Sequence, residues 1–363
     1  MKAPVAAPHG QGSLATLVTL GEGDIAELSR FVEGQTGSPE LGAESRLRWY
    51  LLENPARDFD TPLGWGLRSA SGDLVGCFLC GPQRYRFHQT TITLMGSSTF
   101  YVDAVHRGAG GMLFLQYSRL NARWALFGNS ANPVSARLWK ARGAAPIPET
   151  DHELLGVMHW QPMLEELWVR RGAGSSGSRW IGKLTSPFVG MVKRLRMGRG
   201  ESADLTLLAS AEQGADLVAE ENPESLTAVR DLGFLHWRYF SGGKASEVFA
   251  FRCKSFARDV LVTVNHVARG HRGQIRTLNL LDIYPEVSAE VCSLIAAALL
   301  ERYRGKIDLM VVRGQNAKLQ AALRDIGFLG REFEAPCGWM LDRFHLLPSD
   351  RWYIVPADGD WIL

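Results

Sequence analysis

The residues best placed to do chemistry lie near position 100, where an arginine and three glycines separate a strand-like run from a helix. Thr99 to Val105 is rich in β-branched and aromatic residues and predicts a short strand. His106-Arg107 follows it, and then Gly108, Gly110 and Gly111. Glycine leaves backbone N–H groups uncovered, and the first turn of a helix has unpaired amides and a positive dipole end. With the fixed charge of Arg107, the stretch predicts a phosphate-binding turn.

The helix after this turn is indicated by apolar residues that recur every three to four positions. These are Leu113, Tyr117, Leu120 and Trp124. Two other nucleotide-binding patterns are excluded, because the chain has no G-x-x-x-x-G-K-[ST] and because Met112-Leu113 breaks the spacing of G-x-G-x-x-G. A plain tight connection in an α/β domain stays open as the alternative.

A second segment, with a strand and a helix whose two ends are marked by capping residues, follows directly. Arg123 to Phe127 predicts a buried strand. Asn132 is a good N-cap, Pro133 suits the first helical position, and Gly143 suits a left-handed cap at the end. The pattern predicts a helix over 134–142.

Together the two segments resemble the GNAT (GCN5-related N-acetyltransferase) superfamily of acyltransferases. Its R-x-x-G-x-G/A loop, which grips the pyrophosphate of acyl-CoA, corresponds to Arg107 through Met112, with Met112 at the last position. Its N-x-x-A/S-x-x-L-Y-x-x-x-G-F motif corresponds to Asn132, Ser135, Leu138, Trp139, Gly143 and Ala144. Trp139 replaces a tyrosine that often protonates the departing CoA thiolate. An indole cannot act as that acid.

The resemblance implies an acyl-CoA site, with acetyl-CoA or another acyl-CoA as co-substrate and no metal. The implied cofactor-binding residues are Tyr101, Val102, Asp103, Arg107, Gly108, Ala109, Gly110, Gly111, Met112, Asn132, Ser135 and Trp139. Asp103 and then His106 are the candidates for the base that takes a proton from the acceptor. Trp49, Tyr50, Trp237 and Arg238 are candidates for the acceptor site, although aromatic residues at such spacing are more often core.

Length and composition indicate an ordinary globular protein of two domains. The chain has 363 residues, of which 46% are hydrophobic and 21% charged. Its net charge is only +2, so the overall electrostatic potential does not indicate binding to nucleic acid. Five scattered cysteines, including Cys77 and Cys80 in an apolar run, indicate buried thiols and a reducing, cytoplasmic setting. No apolar run is long enough to span a membrane, and no signal peptide is evident.

The predicted fold class is α/β, in the α+β sense of mixed sheets, with two tandem GNAT-like domains. Residues 1–13 are expected to be disordered, 14–160 to form the domain with the acyl-CoA site, and 204–342 to form a degenerate copy, followed by a tail over 343–363. The copy is indicated by Asn316 to Phe328, which repeats the length of Asn132 to Ala144. It has no glycine loop: Asp282 to Val287 stands there, and Glu286 would repel phosphate.

A basic linker is predicted between the domains, over 161–203. Residues 168–200 hold eight Lys or Arg and no Asp or Glu, and an amphipathic helix within 180–199 could touch an anionic membrane. A linker helix packed on a domain is the favoured interpretation.

The predicted activity is transfer of an acetyl or other acyl group from acyl-CoA to an amine of a small molecule or saccharide, by direct attack. Three alternatives remain. They are a peptidoglycan-type transferase that uses aminoacyl-tRNA, a non-catalytic acyl-CoA-binding protein, and a membrane-peripheral enzyme with a lipid-linked acceptor.

Overall fold

The computed structural model describes most of the two predicted domains. The described residues are 15–37, 39–170, 204–218, 225–241, 246–254, 256, 258–270, 273–313, 317–343 and 352–358. The N-terminal 1–13, the basic stretch from 171 to 203 with its predicted helix, and Asn316 lie outside them.

The first sheet is built mainly from the N-terminal half. Its strands are β1 (Thr16–Thr19), β2 (Gly64–Arg68), β3 (Leu74–Phe87), β4 (Thr90–Val102), β5 (Ala125–Gly128), β6 (Ala145–Pro146), β9 (Leu226–Ala228), β15 (Trp339–Leu341) and β16 (Trp352–Tyr353). The order is β1-β2-β3-β4-β5-β15-β6, and β9 pairs with both β3 and β16. Only β4 and β5, and β9 and β16, run parallel. Strands β3 and β4 form a long hairpin, reaching Phe87 and Thr90, and β4 begins well before the short strand that the sequence predicts from Thr99.

The helices of this half are α1 (Ile25–Thr36), α2 (Pro39–Gly42), α3 (Glu44–Leu51), α4 (Gly110–Arg119), α5 (Pro133–Ala141) and α6 (Trp160–Arg170). Helix α4 buries Leu113 and Tyr117 completely, on the face that their spacing predicts, against Phe78, Met95 and Leu126. The predicted caps of α5 are present: Asn132 accepts hydrogen bonds from the amides of Val134 and Ser135, and Gly143 is left-handed with φ 80°.

The second sheet repeats the arrangement. Its strands are β7 (His152–Val157), β8 (Asp204–Leu207), β10 (Ser246–Arg252), β11 (Val260–Arg269), β12 (Ile275–Tyr284), β13 (Leu309–Arg313) and β14 (Leu329–Glu332), in the order β14-β7-β13-β12-β11-β10-β8. The helices are α7 (Ala211–Val218), α8 (Leu232–Leu235), α9 (Ala289–Arg302) and α10 (Ala317–Asp325), with a π-helical turn over His236–Phe240. Strands β12 and β13 are the parallel pair here, as β4 and β5 are in the first sheet. The predicted mixed α/β architecture in two similar units is therefore present.

The two sheets exchange a strand, which the sequence does not predict. We expect a strand over Glu153–Trp160 to close the first domain, but β7 lies in the second sheet between β13 and β14. The strand expected to end the second domain is β15, and it lies in the first sheet between β5 and β6. Each strand follows a helix and one short strand, β6 before β7 and β14 before β15. The local pattern predicts that these strands exist but not the sheet in which their hydrogen bonds are made.

The C-terminal segment belongs to the interface between the units. Strand β16 extends the first sheet, and the following turn places Asp358 in the interior at 3% exposure. Arg230 lies fully buried between Asp358 and Asp282, donating to each at 2.6 Å. The tail thus supplies the Asp358 carboxylate to a buried cluster of charged side chains.

Asp358 gives the stability of the protein a pH dependence. Burial raises the pKa of this carboxyl to about 6, outweighing Arg230. In the unfolded chain the pKa of this carboxyl is ~3.9. Between about pH 4 and pH 6 the folded protein therefore binds more protons than the unfolded chain. The stability that is present below pH ~4 is lost as the pH rises through ~6. We expect the free energy of unfolding of Asp358→Asn minus that of the wild type to grow by about 2 kcal/mol from pH 4 to pH 6. Urea unfolding across this range measures it, and a difference that does not change with pH contradicts it.

Candidate functional site

The candidate site lies where β4 and β5 part. The two parallel strands are paired at only three positions, from Leu94 and Ala125 to Gly96 and Phe127. Beyond Gly96 they diverge, and a cavity of about 270 Å³ opens between them. Its described walls are Val32, Arg46, Leu47, Tyr50, Phe78, Ser97, Ser98, Thr99, Phe100, Tyr101, Phe114, Ser130, Ala131, Asn132, Ser135 and Trp139.

A bulge in β4 accompanies the separation. Phe100 pairs with Phe78 and Ser98 with Leu79, so Thr99 is the extra residue, and its φ of 45° is unusual for a β-branched side chain. The thiol of Cys77 approaches the Thr99 carbonyl at 3.6 Å. A bulge re-aims the strand, and here it turns the 97–101 segment away from β5.

Gly128 marks the other side of the divergence. A Cβ at this position would collide with the Ser97 hydroxyl and lie 3.0 Å from the Trp139 ring. Glycine is therefore required where the end of β5 passes close to β4 and α5. This close approach fixes the two walls of the cavity at their narrow end.

Aromatic rings close the floor of the cavity. Trp139 is 2% exposed and meets Phe114 edge-on at 5.2 Å, while Phe114 lies 6.0 Å from Phe78. Edge-to-face pairs of this kind pack tightly. Trp139 lines this end of the cavity with an indole, which has no acidic hydroxyl.

The expected glycine turn is helical in the structure. Ala104–Ala109 forms a 3-10 helix that continues into α4, and the amide of Gly110 donates to the Arg107 carbonyl. None of the loop glycines has a positive φ, and the space beside Gly108 and Gly111 is open, whereas a Cβ at Gly110 would meet Val102 at 3.4 Å. The glycines therefore leave an uncovered surface beside exposed Arg107 rather than a left-handed turn.

The predicted cofactor-binding residues divide into two groups. Tyr101, Asn132, Ser135 and Trp139 line the cavity. Val102, Asp103 and the stretch from Arg107 to Met112 follow it along the chain, at the end of β4 and the start of α4. The second group is continuous in sequence with Tyr101, and a Cβ at Gly110 would lie 3.6 Å from the ring of Phe100, which lines the cavity.

The candidate bases do not line the cavity. The Asp103 carboxylate accepts a hydrogen bond from Gln35 of α1, and both ring nitrogens of His106 are buried without a partner among the described residues. The only ionisable group other than tyrosine among the described lining residues is the Arg46 guanidinium. The catalytic roles of Asp103 and His106 stay predictions that this arrangement does not favour.

The candidate acceptor residues come together, but in the core. The rings of Trp49 and Trp237 stack at 5.0 Å, and each indole N–H donates to the other's backbone carbonyl. Arg238 is 1% exposed, and its guanidinium lies over both rings. Tyr50 alone of the four lines the cavity. The others hold the two units together, and a role in acceptor binding stays a prediction.

The start of α9 in the second unit is capped by side chains, whereas the corresponding start of α4 in the first unit is uncovered. Ser288 begins α9 and accepts a hydrogen bond from the Val291 amide, and Glu290 lies in the first turn. Glu286 accepts one from Ser225. Side chains of the chain itself therefore satisfy this helix start, as the absence of a glycine loop predicts.

Sequence reasoning misses several cavity residues. Arg46, Ser97, Ser98 and Ser130 carry no motif, because a serine before a bulge and an arginine on a short helix are common in any chain. The feature of the sequence that could have indicated the cavity is a pair of glycines, Gly96 in β4 and Gly128 in β5, at the point where the two strands separate.

Comparison with models of protein families and with curated protein sequences finds no match. Solved structures do match. A probable N-acyltransferase of unknown function from Enterococcus faecalis V583 is 11% identical with a TM-score of 0.55, over 90% of this chain and 72% of that one. Saccharomyces cerevisiae N-myristoyltransferase, solved with myristoyl-CoA, is 10% identical with a TM-score of 0.55, over 97% and 86%. A GCN5-related N-acetyltransferase from Anabaena variabilis is 11% identical with a TM-score of 0.51, over 90% and 72%.

These likenesses establish the fold of the GNAT superfamily. Among the described residues there is no cluster of His, Cys, Asp and Glu suited to a metal ion. No described helix has the length and apolar character needed to cross a bilayer.

Proposed function

We propose that this chain, with its GNAT fold, is an acyltransferase that takes its acyl group from acyl-CoA. The observation that carries the proposal is the cavity at the divergence of β4 and β5, together with the uncovered start of α4 that follows β4 in the chain. The similar folds of N-acetyl- and N-myristoyltransferases support it, as does the myristoyl-CoA bound to the yeast enzyme.

In this proposal the donor lies along the β4 edge. Its pyrophosphate takes the open surface over Gly108 and Gly111 beside Arg107, where the dipole of α4 favours negative charge. The pantetheine follows Tyr101 and Val102, and the thioester enters the divergence, where backbone amides freed from the ladder by the bulge can polarise its carbonyl.

The acyl group that fits best is short. The cavity of about 270 Å³ is below the ~300–1,000 Å³ of typical small-molecule sites, and the Trp139, Phe114 and Phe78 rings close its floor. Acetyl-CoA is therefore the donor we propose. With Tyr101 and Asn132 on one side and Arg46 on the other, alignment of an acceptor amine with the thioester would supply most of the rate enhancement.

The donor site is tested by a charge at Gly111. A glutamate there meets open space, suits the first turn of a helix, and places a carboxylate on the proposed pyrophosphate surface. Two like charges ~5 Å apart at an effective dielectric of ~20 repel by about 3 kcal/mol. We therefore expect acetyl-CoA binding to weaken about 100-fold in Gly111→Glu, as measured by calorimetry.

Gly111→Gln is the matched control, because it has the same length without the charge. We expect its affinity to stay within about threefold of the wild type. If wild-type protein binds neither acetyl-CoA, a longer acyl-CoA nor free CoA, the acyltransferase proposal is rejected. An unchanged affinity in Gly111→Glu would place the pyrophosphate elsewhere.

A further inference from the structure

A second cavity, on the second sheet, is lined by two arginines. Its volume is about 200 Å³, and its walls are Val267, Arg269, Asn279, Leu280, Leu281, Val311, Arg313 and Pro356. It lies on the face of β11, β12 and β13 that carries Val311, away from the core that Met310 and Val312 form with α9. We call it the arginine cavity.

Several arginines share one buried carboxylate beside this cavity. Glu153 on β7 is completely buried, and Arg313 on β13 and Arg331 on β14 are its direct cross-strand partners. Arg313 donates to it at 2.5 Å, and Arg269 comes within 3.9 Å. Among the described residues, three guanidiniums thus share the Glu153 carboxylate.

The arginines are held in place. Arg269 donates to the Asn279 side chain at 3.0 Å, and the Asn279 amide donates to Asn265 at 2.9 Å. The guanidinium of Arg313 lies 5.6 Å from the Phe333 ring. Burial and then the neighbouring charge of Arg313 lower the pKa of Arg269, which means that the surroundings destabilise its charged form. A fixed pair of crowded cations against apolar walls is suited to an anion.

We propose that the arginine cavity binds an oxyanion group, carboxylate or phosphate, carried on a small apolar body. The oxyanion lies between the guanidiniums of Arg269 and Arg313 and accepts hydrogen bonds from both. The apolar body lies against Val267, Leu281 and Val311. This site is separate from the proposed acyl-CoA site and does not depend on it.

Calorimetry on the full chain with phenyl phosphate, benzoate and inorganic phosphate tests the site, at ionic strength held constant with chloride. We expect saturable binding of phenyl phosphate or benzoate, at least tenfold tighter than inorganic phosphate. The stronger of the two organic probes shows whether phosphate or carboxylate is preferred. Absence of saturable heat from every probe at millimolar concentration overturns the proposal.

Two variants locate the binding. Arg269→Gln removes one cation but can keep the contact with Asn279, and we expect at least a tenfold loss of affinity. Val267→Phe fills the apolar wall from a side chain that is 38% exposed, so the fold tolerates it and the organic probes lose affinity. Arg252→Gln, at an arginine of the same sheet whose side chain is 74% exposed, is the matched control and should change little. Binding that survives both cavity variants contradicts the assignment.

Gly111→Glu separates this proposal from the previous one. That variant should leave phenyl phosphate or benzoate binding unchanged, because the arginine cavity lies in the other sheet. Loss of probe binding in Gly111→Glu would place these anions at the acyl-CoA site and overturn the arginine cavity.

Discussion

Replacing Arg230 with methionine should cost about 3–5 kcal/mol of the free energy of unfolding. Arg230 is fully buried, it donates to Asp282 and Asp358 at 2.6 Å each, and its guanidinium lies 4.8 Å from the Phe234 ring. Methionine has a similar apolar stem, so the loss is electrostatic: two carboxylates remain in the interior without their cation. Asp282 also accepts a hydrogen bond from Tyr239, which does not replace the charge.

Urea unfolding measures this loss, and Arg84→Met provides the control. Arg84 forms a comparable pair with Asp231 at 2.5 Å, but both side chains are 39% exposed, so its removal should cost ~1 kcal/mol or less. Adding Asp282→Asn and Asp358→Asn to Arg230→Met should recover part of the stability, because it removes the stranded charges. A loss for Arg230→Met no larger than that for Arg84→Met would contradict the argument.

The sequence predicted local structure well because local structure depends on nearby residues. Asn132 and Gly143 bracket α5 as their types predict, and the spacing of Leu113 and Tyr117 identifies the buried face of α4. The exchange of β7 and β15 could not be predicted this way. A strand's own sequence states which residues it buries, whereas its partner depends on contacts far apart in the chain, such as Arg313 with Glu153.

The site was predictable only where a motif exists. Tyr101, Asn132, Ser135 and Trp139 line the cavity as the resemblance implies. The bulge at Thr99 and the cation at Arg46 come from three-dimensional context, and no residue type signals them. Asp103 was a reasonable base by its place at the end of a strand, but its carboxylate is turned to Gln35 of α1. Sequence position placed that side chain near the donor path without fixing its direction.

The second large effect is expected at the stacked tryptophans that join the two units. Trp49 and Trp237 are 1% and 6% exposed, and their indole N–H groups donate reciprocally to backbone carbonyls at 2.6 and 2.8 Å. Alanine at either position removes a large buried ring, which costs about 3–5 kcal/mol. The same substitution also leaves the partner's stacked face without its neighbour.

The pair should therefore be strongly coupled. We expect Trp49→Ala with Trp237→Ala to cost less than the sum of the single losses, by about 1–3 kcal/mol in urea unfolding. Trp339 is the control: it is also 6% exposed and donates to Pro336, but it packs in the core of the first sheet, so its loss should add to that of Trp49 within ~0.5 kcal/mol. Equal coupling for both pairs would contradict a specific contact between the units.

Unfolding should remain one transition even in the double variant. The tryptophans join the units through side chains, whereas β7 and β15 join them through backbone ladders within each other's sheets. Neither sheet can lose its exchanged strand without disturbing the unit that provides it. Coincident transitions monitored by far-ultraviolet circular dichroism and by tryptophan fluorescence are therefore expected. Two separated transitions would show that the stacked pair, and not the strand exchange, makes the two units cooperative.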